Sequence, residues 1–176
     1  MTKNLLSTEL LPGNVCFGCG QENPNGLRVA VFRDPKDPKR ILGEFYPQDY
    51  MIGFPGITHG GAIYTALDCM ATWSGMVLRK TKAMWILRSA TMKYHRPAFQ
   101  GSLITLSATI EGEDDDEWKA IEVRAEARDS EGNLLAEGNF KVIPVSPEKF
   151  KAIAGIDELP ENWAKWLGDM TGRGDG

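Results

Sequence analysis

Residues 56–73, GITHGGAIYTALDCMATW, hold the side chains and backbone groups with the clearest chemical potential. His59, Gly60 and Gly61 precede an apolar pattern of helical period, so the two glycines are predicted to open a helix. Backbone N–H groups at a helix start are unpaired, lie at the positive end of the dipole and are unobstructed beside glycine. The sequence therefore predicts an oxyanion site at Gly60 and Gly61, with His59 orienting the turn through its ring nitrogens. A glycine turn required only by packing is the competing interpretation.

Asp68 is a carboxylate inside the apolar stretch of the same predicted helix. Burial of such a charge is unfavourable unless the group is paired or functional, which makes Asp68 a candidate catalytic group. Thr72 lies four residues later on the same helix face, where its hydroxyl could hold a water molecule or the carboxylate. An exposed aspartate on the solvent side of an amphipathic helix is the alternative.

The spacing of these groups predicts a shared site between two chains. Gly60 and Asp68 are eight residues apart, which corresponds to about 12 Å along a helix axis. One substrate carbonyl does not reach both groups of one helix. If both act on the same carbon atom, the carboxylate must come from a second copy related by a two-fold axis, and the protein is then a homodimer.

The segment CFGCG contains a Cys16-x-x-Cys19 pair that is compatible with zinc or redox chemistry. A tetrahedral zinc site needs four ligands, and the chain offers only Cys69 in the predicted helix and two histidines besides this pair. A redox pair is expected at a helix start after a strand, whereas the surrounding glycines and proline describe a loop. The sequence favours a packed loop with free thiols, without metal and without a cofactor.

Basic residues end a predicted strand in the segment MKYHRPAFQG. Lys93, His95 and Arg96, with Arg88 nearby, could bind the phosphates of a nucleotide-like ligand. Solvated basic residues on a strand face are the alternative.

The elements that position these residues follow from hydrophobic periodicity. Alternation from Leu27 and again over 41–46 predicts a hairpin, residues 47–58 read as an irregular loop, and 60–80 as one long helix. Four further extended stretches follow, around residues 85–95, 103–111, 118–127 and 134–143. One early helix among about five to six strands predicts an α+β fold in which an antiparallel sheet wraps around a central helix.

The length of 176 residues favours one domain at residues 15–145, preceded by an arm at 1–14 and followed by an extension at 146–176. The arm is expected to be loosely held or a short helix, and the extension to form a short helix and a disordered tail.

Composition excludes several classes of protein. With 20 basic and 24 acidic residues the net charge is -4, which argues against a nucleic-acid partner. No apolar run approaches the roughly 20 residues of a membrane span, and the N-terminal sequence lacks a signal-peptide pattern. We therefore expect no membrane association and a cytoplasmic location with reduced thiols.

Four motifs in this order resemble the hotdog-fold thioesterase superfamily, and specifically its PaaI-like branch. They are CFGCGQENPNGL, FPGITHGGAIYTALD, MKYHRPAFQGSLI and DSEGNLLAEGNF, and they span about residues 15–145. The resemblance implies the hotdog fold and metal-free hydrolysis of acyl-coenzyme A thioesters. It also implies self-association as a homodimer or as a tetramer built from two dimers.

The resemblance also implies roles for individual residues. The acidic group nine positions after the motif histidine is the general base or nucleophile, and it corresponds to Asp68. The N–H group that polarises the thioester carbonyl corresponds to Gly60, and the residue that positions water to Thr72. His59 corresponds to the motif histidine, with a role in structure or in substrate positioning. Some members carry Asn or Gln six residues before it, where this chain has Gly53, so less efficient catalysis is expected.

The resemblance places the substrate around the same helix start. The candidate binding residues are Gly61, Asn23, Phe54, Lys93 and Arg96, with Arg96 near the coenzyme phosphates. The loop 50–54 and the helix residues Tyr64 and Trp73 are expected to line the acyl group. The sequence thus predicts an acyl-CoA thioesterase. The alternatives are a non-catalytic acyl-CoA-binding module, a hotdog dehydratase, which the missing signature disfavours, and an adaptor that uses Trp163 and Trp166.

Overall fold

A computed structural model describes residues 5–81, 83–112 and 116–168 of the chain. The α+β prediction is confirmed, because one long helix packs against a six-stranded antiparallel sheet of order β1-β2-β6-β7-β8-β5. The strands of this sheet are β1 (Ala30–Arg33), β2 (Arg40–Phe45), β5 (Met84–Tyr94), β6 (Ile104–Glu111), β7 (Ile121–Arg128) and β8 (Leu134–Val145). The long helix is α2 (Gly60–Leu78).

The sheet forms where side chains alternate between the core and solvent. In β7, Ile121, Val123, Ala125 and Ala127 are buried and the charged residues between them point outward, as expected for a strand with one wet face. The predicted hairpin is confirmed, with Ala30 opposite Glu44 and Arg33 opposite Ile41. β5 pairs with β8 only, so within the described residues its other edge has no partner strand.

Helix α2 buries one side against the concave face of the sheet. Small and apolar residues cover this side, so the backbone of the helix approaches the strands closely. Its most buried positions include Ala66, Leu67, Met70 and Ala71, each inaccessible to solvent. Gly61, Thr65, Asp68 and Thr72 remain partly or fully exposed, and their spacing places them along one face turned away from the sheet.

The predicted irregular loop at 47–58 contains more order than expected. It begins with a 3-10 turn, Asp49–Met51, and continues as a two-stranded hairpin of β3 (Ile52–Phe54) and β4 (Ile57–Thr58). The glycine- and proline-rich composition predicted an irregular loop and missed this pairing, which is short and shifts in register between Ile52 and Phe54. This small hairpin leads directly into α2.

The described segments at 5–14 and 146–168 both pack against the domain. α1 (Leu6–Glu9) buries Leu6, and Leu11 after it is 1% exposed. The C-terminal extension contains two helices, α3 (Pro147–Ala154) and α4 (Glu161–Gly168), where the sequence analysis expected one. Asn162 on α4 donates a hydrogen bond to the carbonyl of Pro12 at 2.9 Å. The predicted disordered tail, at 172–176, lies outside the described residues.

None of the helices in the described ranges combines the length and apolar character that crossing a bilayer requires.

Candidate active site

The start of α2 is held by a dense set of local hydrogen bonds. His59 is the N-cap, and its Nδ1 accepts the N–H of Gly61 at 2.9 Å. The His59 carbonyl accepts the N–H of Ala62, and the His59 N–H bonds to the carbonyl of Met51 at 2.8 Å. Thr58 donates its N–H to the carbonyl of Ala98. These bonds fix the turn from the small hairpin into the helix.

Gly60 is the one donor of this turn left for a ligand. Its N–H has no acceptor within the described residues, whereas those of His59, Gly61 and Ala62 are all bonded. The free N–H sits at the positive end of a 19-residue helix. The sequence predicted an oxyanion site at the N–H groups of both Gly60 and Gly61. Only the N–H of Gly60 is available to bind an oxyanion, because the N–H of Gly61 donates to His59.

A cleft of about 300 Å³ opens at Gly60. It is lined by residues of the small hairpin, of α2, of the neighbouring strands β5 and β8, and of the segment 95–98 that follows β5. Arg96 lines it together with Tyr94 and His95, so Arg96 and the free N–H share one cavity. The lining as a whole consists of Ile57, Thr58, Gly60, Ile63, Tyr94, His95, Arg96, Pro97, Ala98, Leu135 and Ala136.

Tyr94 and Thr58 belong to this cleft and were not predicted. The Tyr94 hydroxyl donates to the carbonyl of Gly60 at 3.1 Å, and a Cβ added to Gly60 would lie 3.3 Å from the Tyr94 ring. The Thr58 hydroxyl is buried and lacks a hydrogen-bond partner within the described residues. The period of two along the strand that contains Lys93 could have indicated Tyr94, because neighbouring strand residues point to opposite faces.

Lys93 is separated from this cleft by that same alternation. It lines a different surface depression together with Arg124 and Glu137, while Arg96 follows the end of β5. Glu137 also accepts a bond from Arg124 at 2.7 Å and contacts His95 Nε2 at 3.0 Å. The basic segment is therefore divided between two surfaces, and it is Arg96 that lies beside Gly60.

Asp68 lies two turns further along α2 and is half-buried. Burial, followed by the charge of Cys16, raises the pKa of the Asp68 carboxyl to about 6. Thr72 does not bond to this carboxylate, because its hydroxyl donates to the backbone carbonyls of Asp68 at 3.2 Å and Cys69 at 3.0 Å. The oxygen of Thr72 keeps its acceptor capacity, so the predicted contact with water requires the water to donate.

Asp68 does not line the cleft at Gly60. Both residues are on the same continuous helix, so the separation of about 12 Å along its axis holds in the folded chain. Within one chain, the free N–H of Gly60 and the carboxylate of Asp68 are therefore too far apart to contact the same substrate atom.

Three further predicted residues, Asn23, Phe54 and Trp73, do not line the cleft at Gly60. The Asn23 side chain donates to the carbonyl of Val15 and accepts the N–H of Asn25, which fixes the loop before β1. Phe54 is 74% exposed at the end of β3. Trp73, expected beside the acyl group, is 2% exposed and belongs to the core.

Gly53 is explained by close packing against the histidine turn. A Cβ at this position would lie 3.0 Å from the Cα of His59, a distance that side chains rarely adopt. A side chain at this position, which is polar in some resembling proteins, would therefore require the His59 turn to shift.

The loop before β1 places two cysteines against the middle of α2. The Sγ atoms of Cys16, Cys19 and Cys69 all lie within 4.8 Å of one another, and all three residues are free cysteines. The sequence predicted a packed loop with free thiols, but the contact of Cys16 and Cys19 with Cys69 was not predicted. The thiols of Cys19 and Cys69, with smaller contributions from the N–H groups of Cys19 and Gly18, hold the pKa of Cys16 far below its usual value.

A larger cleft of about 440 Å³ lies elsewhere, between the loop before β1 and the end of β2. Its lining includes Arg28, Glu44 and Tyr50, and Tyr50 donates from its hydroxyl to the carbonyl of Gly26 at 2.8 Å. Neither Gly60 nor Asp68 contributes to it. Size alone therefore does not identify the reactive site.

Comparisons with known proteins give a family model for part of the chain and solved structures for its fold. Residues 55–114 match the family model of the thioesterase superfamily, and this range contains His59, Gly60, Asp68 and Thr72. The chain has the hotdog fold of this superfamily.

Solved structures share the fold at low sequence identity. The E. coli PaaI protein of the phenylacetic acid degradation operon is 14% identical, with a TM-score of 0.59 over 68% of this chain and 81% of that one. A thioesterase of Haemophilus influenzae is also 14% identical, with a TM-score of 0.62 over 73% and 85% of the two chains. A Streptococcus mutans protein bound to acetyl CoA is 12% identical, with a TM-score of 0.55 over 61% and 82%. No curated protein matches the sequence.

Proposed function

We propose that this protein is an acyl-CoA thioesterase that hydrolyses an acyl-coenzyme A thioester to the free acid and coenzyme A. The observation that carries the proposal is the unpaired N–H of Gly60, a residue that lines the cleft at the positive end of α2. An N–H fixed in this way can stabilise the negative charge that develops on a thioester oxygen. The fold shared with thioesterases and with an acetyl-CoA-bound protein supports this chemistry.

The chain contributes the parts of a hydrolytic reaction as follows. Gly60 polarises the thioester carbonyl, and His59 keeps the amide oriented by capping the next residue. Asp68 removes a proton from water, or attacks the carbonyl carbon directly and forms an anhydride that water then opens. In either route the carbon–sulfur bond breaks and coenzyme A leaves as its thiol. Thr72 accepts a hydrogen bond from the attacking water, and Arg96 contacts the phosphates of the coenzyme.

The site requires a second copy of the chain. Gly60 and Asp68 of one helix are too far apart to act on one carbon atom, so the carboxylate of a partner must complete the cleft. The open edge of β5 supports pairing of two copies, since an 11-residue strand with one free edge can extend the sheet into its symmetry mate. The proposed unit is a homodimer, and two dimers can associate further.

A matched pair of variants tests the role of the Gly60 amide. Proline at the first helical position preserves the helix but has no N–H, so Gly60→Pro removes the donor. Gly60→Ala keeps the donor and adds a Cβ that also meets Tyr94. We expect kcat for thiol release from a panel of short, medium, long and aromatic acyl-CoAs to fall about a hundredfold to a thousandfold in Gly60→Pro beyond any loss in Gly60→Ala.

Equal losses in the two variants would contradict the oxyanion role. No thiol release by the wild-type protein from any substrate, together with binding of coenzyme A thioesters, would identify an acyl-CoA-binding module.

Subunit mixing tests the shared site. Gly60→Pro and Asp68→Asn are each expected to be inactive, but a mixed dimer contains one site with both groups intact. After unfolding and refolding together at equal concentration, about a quarter of wild-type activity should return. If the mixture stays as inactive as its components while it is dimeric, the two groups act within one chain or not together.

A further inference from the structure

The turn of residues 16–20 and the middle of α2 bring three sulfur atoms together outside the proposed reaction. The Sγ atoms of Cys16, Cys19 and Cys69 lie within 4.8 Å of one another. Zinc–sulfur bonds of about 2.3 Å in a tetrahedral arrangement place the sulfur atoms about 3.8 Å apart. The observed spacing is therefore compatible with one ion bound by all three.

Backbone N–H groups of the turn act on the first sulfur atom. Those of Gly18 and Cys19 lower the pKa of the Cys16 thiol, and the N–H of Gly20 bonds to the Cys16 carbonyl at 2.9 Å. The turn is therefore closed at Cys16 by its own backbone. Such N–H donors fix the orientation of a thiolate ligand and offset its negative charge.

The second sulfur atom accepts a side-chain donor, because the Asn14 amide donates to Cys19 Sγ at 3.6 Å. Asn14 is in turn tied to the loop, because its Oδ1 accepts the N–H of Cys16 at 2.9 Å. Two ligand candidates therefore share one supporting residue.

Packing shows that the loop is shaped to reach the third sulfur atom. A Cβ added at Gly18 would lie 2.2 Å from Cys69 Sγ, so any side chain at this position would occupy the space of that sulfur. Cys19 and Cys69 are 6% and 8% exposed, while Cys16 is exposed. Cys16 thus leaves an entry path for an ion and a position for solvent as the fourth ligand.

We propose that Cys16, Cys19 and Cys69 form a three-thiolate site for a zinc ion. Thiolate ligands favour soft ions such as zinc over magnesium or calcium. The bound ion ties the loop before β1 to α2 at the residue next to Asp68, and it displaces the thiol protons to solvent on binding. This site is separate from the proposed hydrolysis and does not depend on it.

Metal content and a cobalt spectrum test the proposal. The full-length protein is purified under reducing, chelator-free conditions, loaded with Zn²⁺ or Co²⁺ and freed of excess ion. We compare the wild type with Cys16→Ser, which removes an exposed ligand, and with Phe17→Ala, which alters the same turn at a 57% exposed side chain but keeps all three sulfur atoms.

The wild type and Phe17→Ala should retain about one zinc per chain and show thiolate-to-cobalt charge-transfer absorption. Cys16→Ser should bind zinc at least about tenfold more weakly, lose this absorption and lose the rise in Tm on adding Zn²⁺. Zinc-loaded wild-type protein that holds little metal, or Cys16→Ser that binds as tightly as the wild type, would overturn the site.

Thiol protection provides a second measurement that needs no variant. In the folded wild-type protein, Zn²⁺ should slow alkylation of all three cysteines and a chelator should restore it. Alkylation unaffected by Zn²⁺, or a Cys16–Cys19 disulfide in the reduced preparation, would count against the site even if Cys16→Ser did not fold.

Discussion

The first turn of α2 and the middle of the same helix hold their polar groups by different means. At the first turn, His59 bonds to Gly61 and Ala62, partners within three residues of it. In the middle, Asp68 and Cys69 lie under a loop from the N-terminal part of the chain, which brings Cys16 and Cys19 onto the helix. The cap of the first turn is local, although Tyr94 and Ala98 also bond to residues beside it, whereas the thiol cluster joins segments that are distant in the chain. Changes in the first region should therefore lower activity by displacing the turn, and changes in the second should also disturb the packing between the loop and the helix.

Replacement of Asp68 is expected to give the largest effect. Asp68→Asn keeps the shape of the side chain but cannot accept a proton or attack a carbonyl, so kcat/KM for acyl-CoA hydrolysis should fall about a hundredfold to ten-thousandfold. Because burial disfavours the charged carboxylate, Tm at neutral pH should stay the same or rise. Thiol release and thermal unfolding measure the two effects.

An exposed aspartate serves as the control for this substitution. Asp157 lies between α3 and α4 and is exposed, so Asp157→Asn should change neither quantity. Full activity in Asp68→Asn would remove Asp68 from the reaction and leave Gly60 without a catalytic partner.

Alanine substitution of one glycine in each region compares how tightly the two regions are packed. Gly18→Ala places a Cβ 2.2 Å from Cys69 Sγ, and because the loop and helix are both fixed, we expect a loss of about 1–3 kcal/mol in unfolding free energy. Gly53→Ala meets the Cα of His59 at 3.0 Å and should destabilise less. It should instead displace the histidine turn and lower kcat. Urea unfolding and thiol release on both variants check the comparison.

The contrast would be refuted if Gly53→Ala reduced the unfolding free energy more than Gly18→Ala. It would also be refuted if the loss of kcat were proportional to the loss of unfolding free energy in both variants.

Removal of the cap is expected to give the smallest effect. His59→Ala leaves the N–H of Gly61 without its acceptor, which should reduce stability by about 1 kcal/mol and Tm by about 2–4 °C for a chain of this length. His59→Asn supplies a strong N-cap residue and should recover most of the lost Tm. Circular dichroism melting measures this recovery.

The same pair separates capping from contact with the substrate. If His59 acts only through the turn, His59→Asn should restore thiol release together with Tm. Recovery of Tm without recovery of activity would show that the imidazole itself contacts the substrate.

The residues of β5 and the segment after it show which part of the site could not be predicted from the sequence. The segment around Lys93 and Arg96 was identified by its charge, but charge does not indicate which face of the sheet a residue occupies. Alternation along β5 places Tyr94 at Gly60 and Lys93 beside Arg124. Trp73 shows the same limit, because an aromatic residue on a predicted helix can line a cavity or, as here, lie in the core.

The sequence by itself determined the α+β architecture, the start of α2 at Gly60 and the place of His59 as the N-cap of this helix. These features depend on periodicity and on hydrogen bonds between residues close in the chain, so local residue types are sufficient to specify them. Only the tertiary structure decided that Cys69 meets Cys16 and Cys19, that Arg96 rather than Lys93 shares the cleft of Gly60, and that Gly53 lies against His59. Such contacts depend on the path of loops across the helix and on the register of strands in the sheet. No local pattern of residue types specifies either of these in a single sequence.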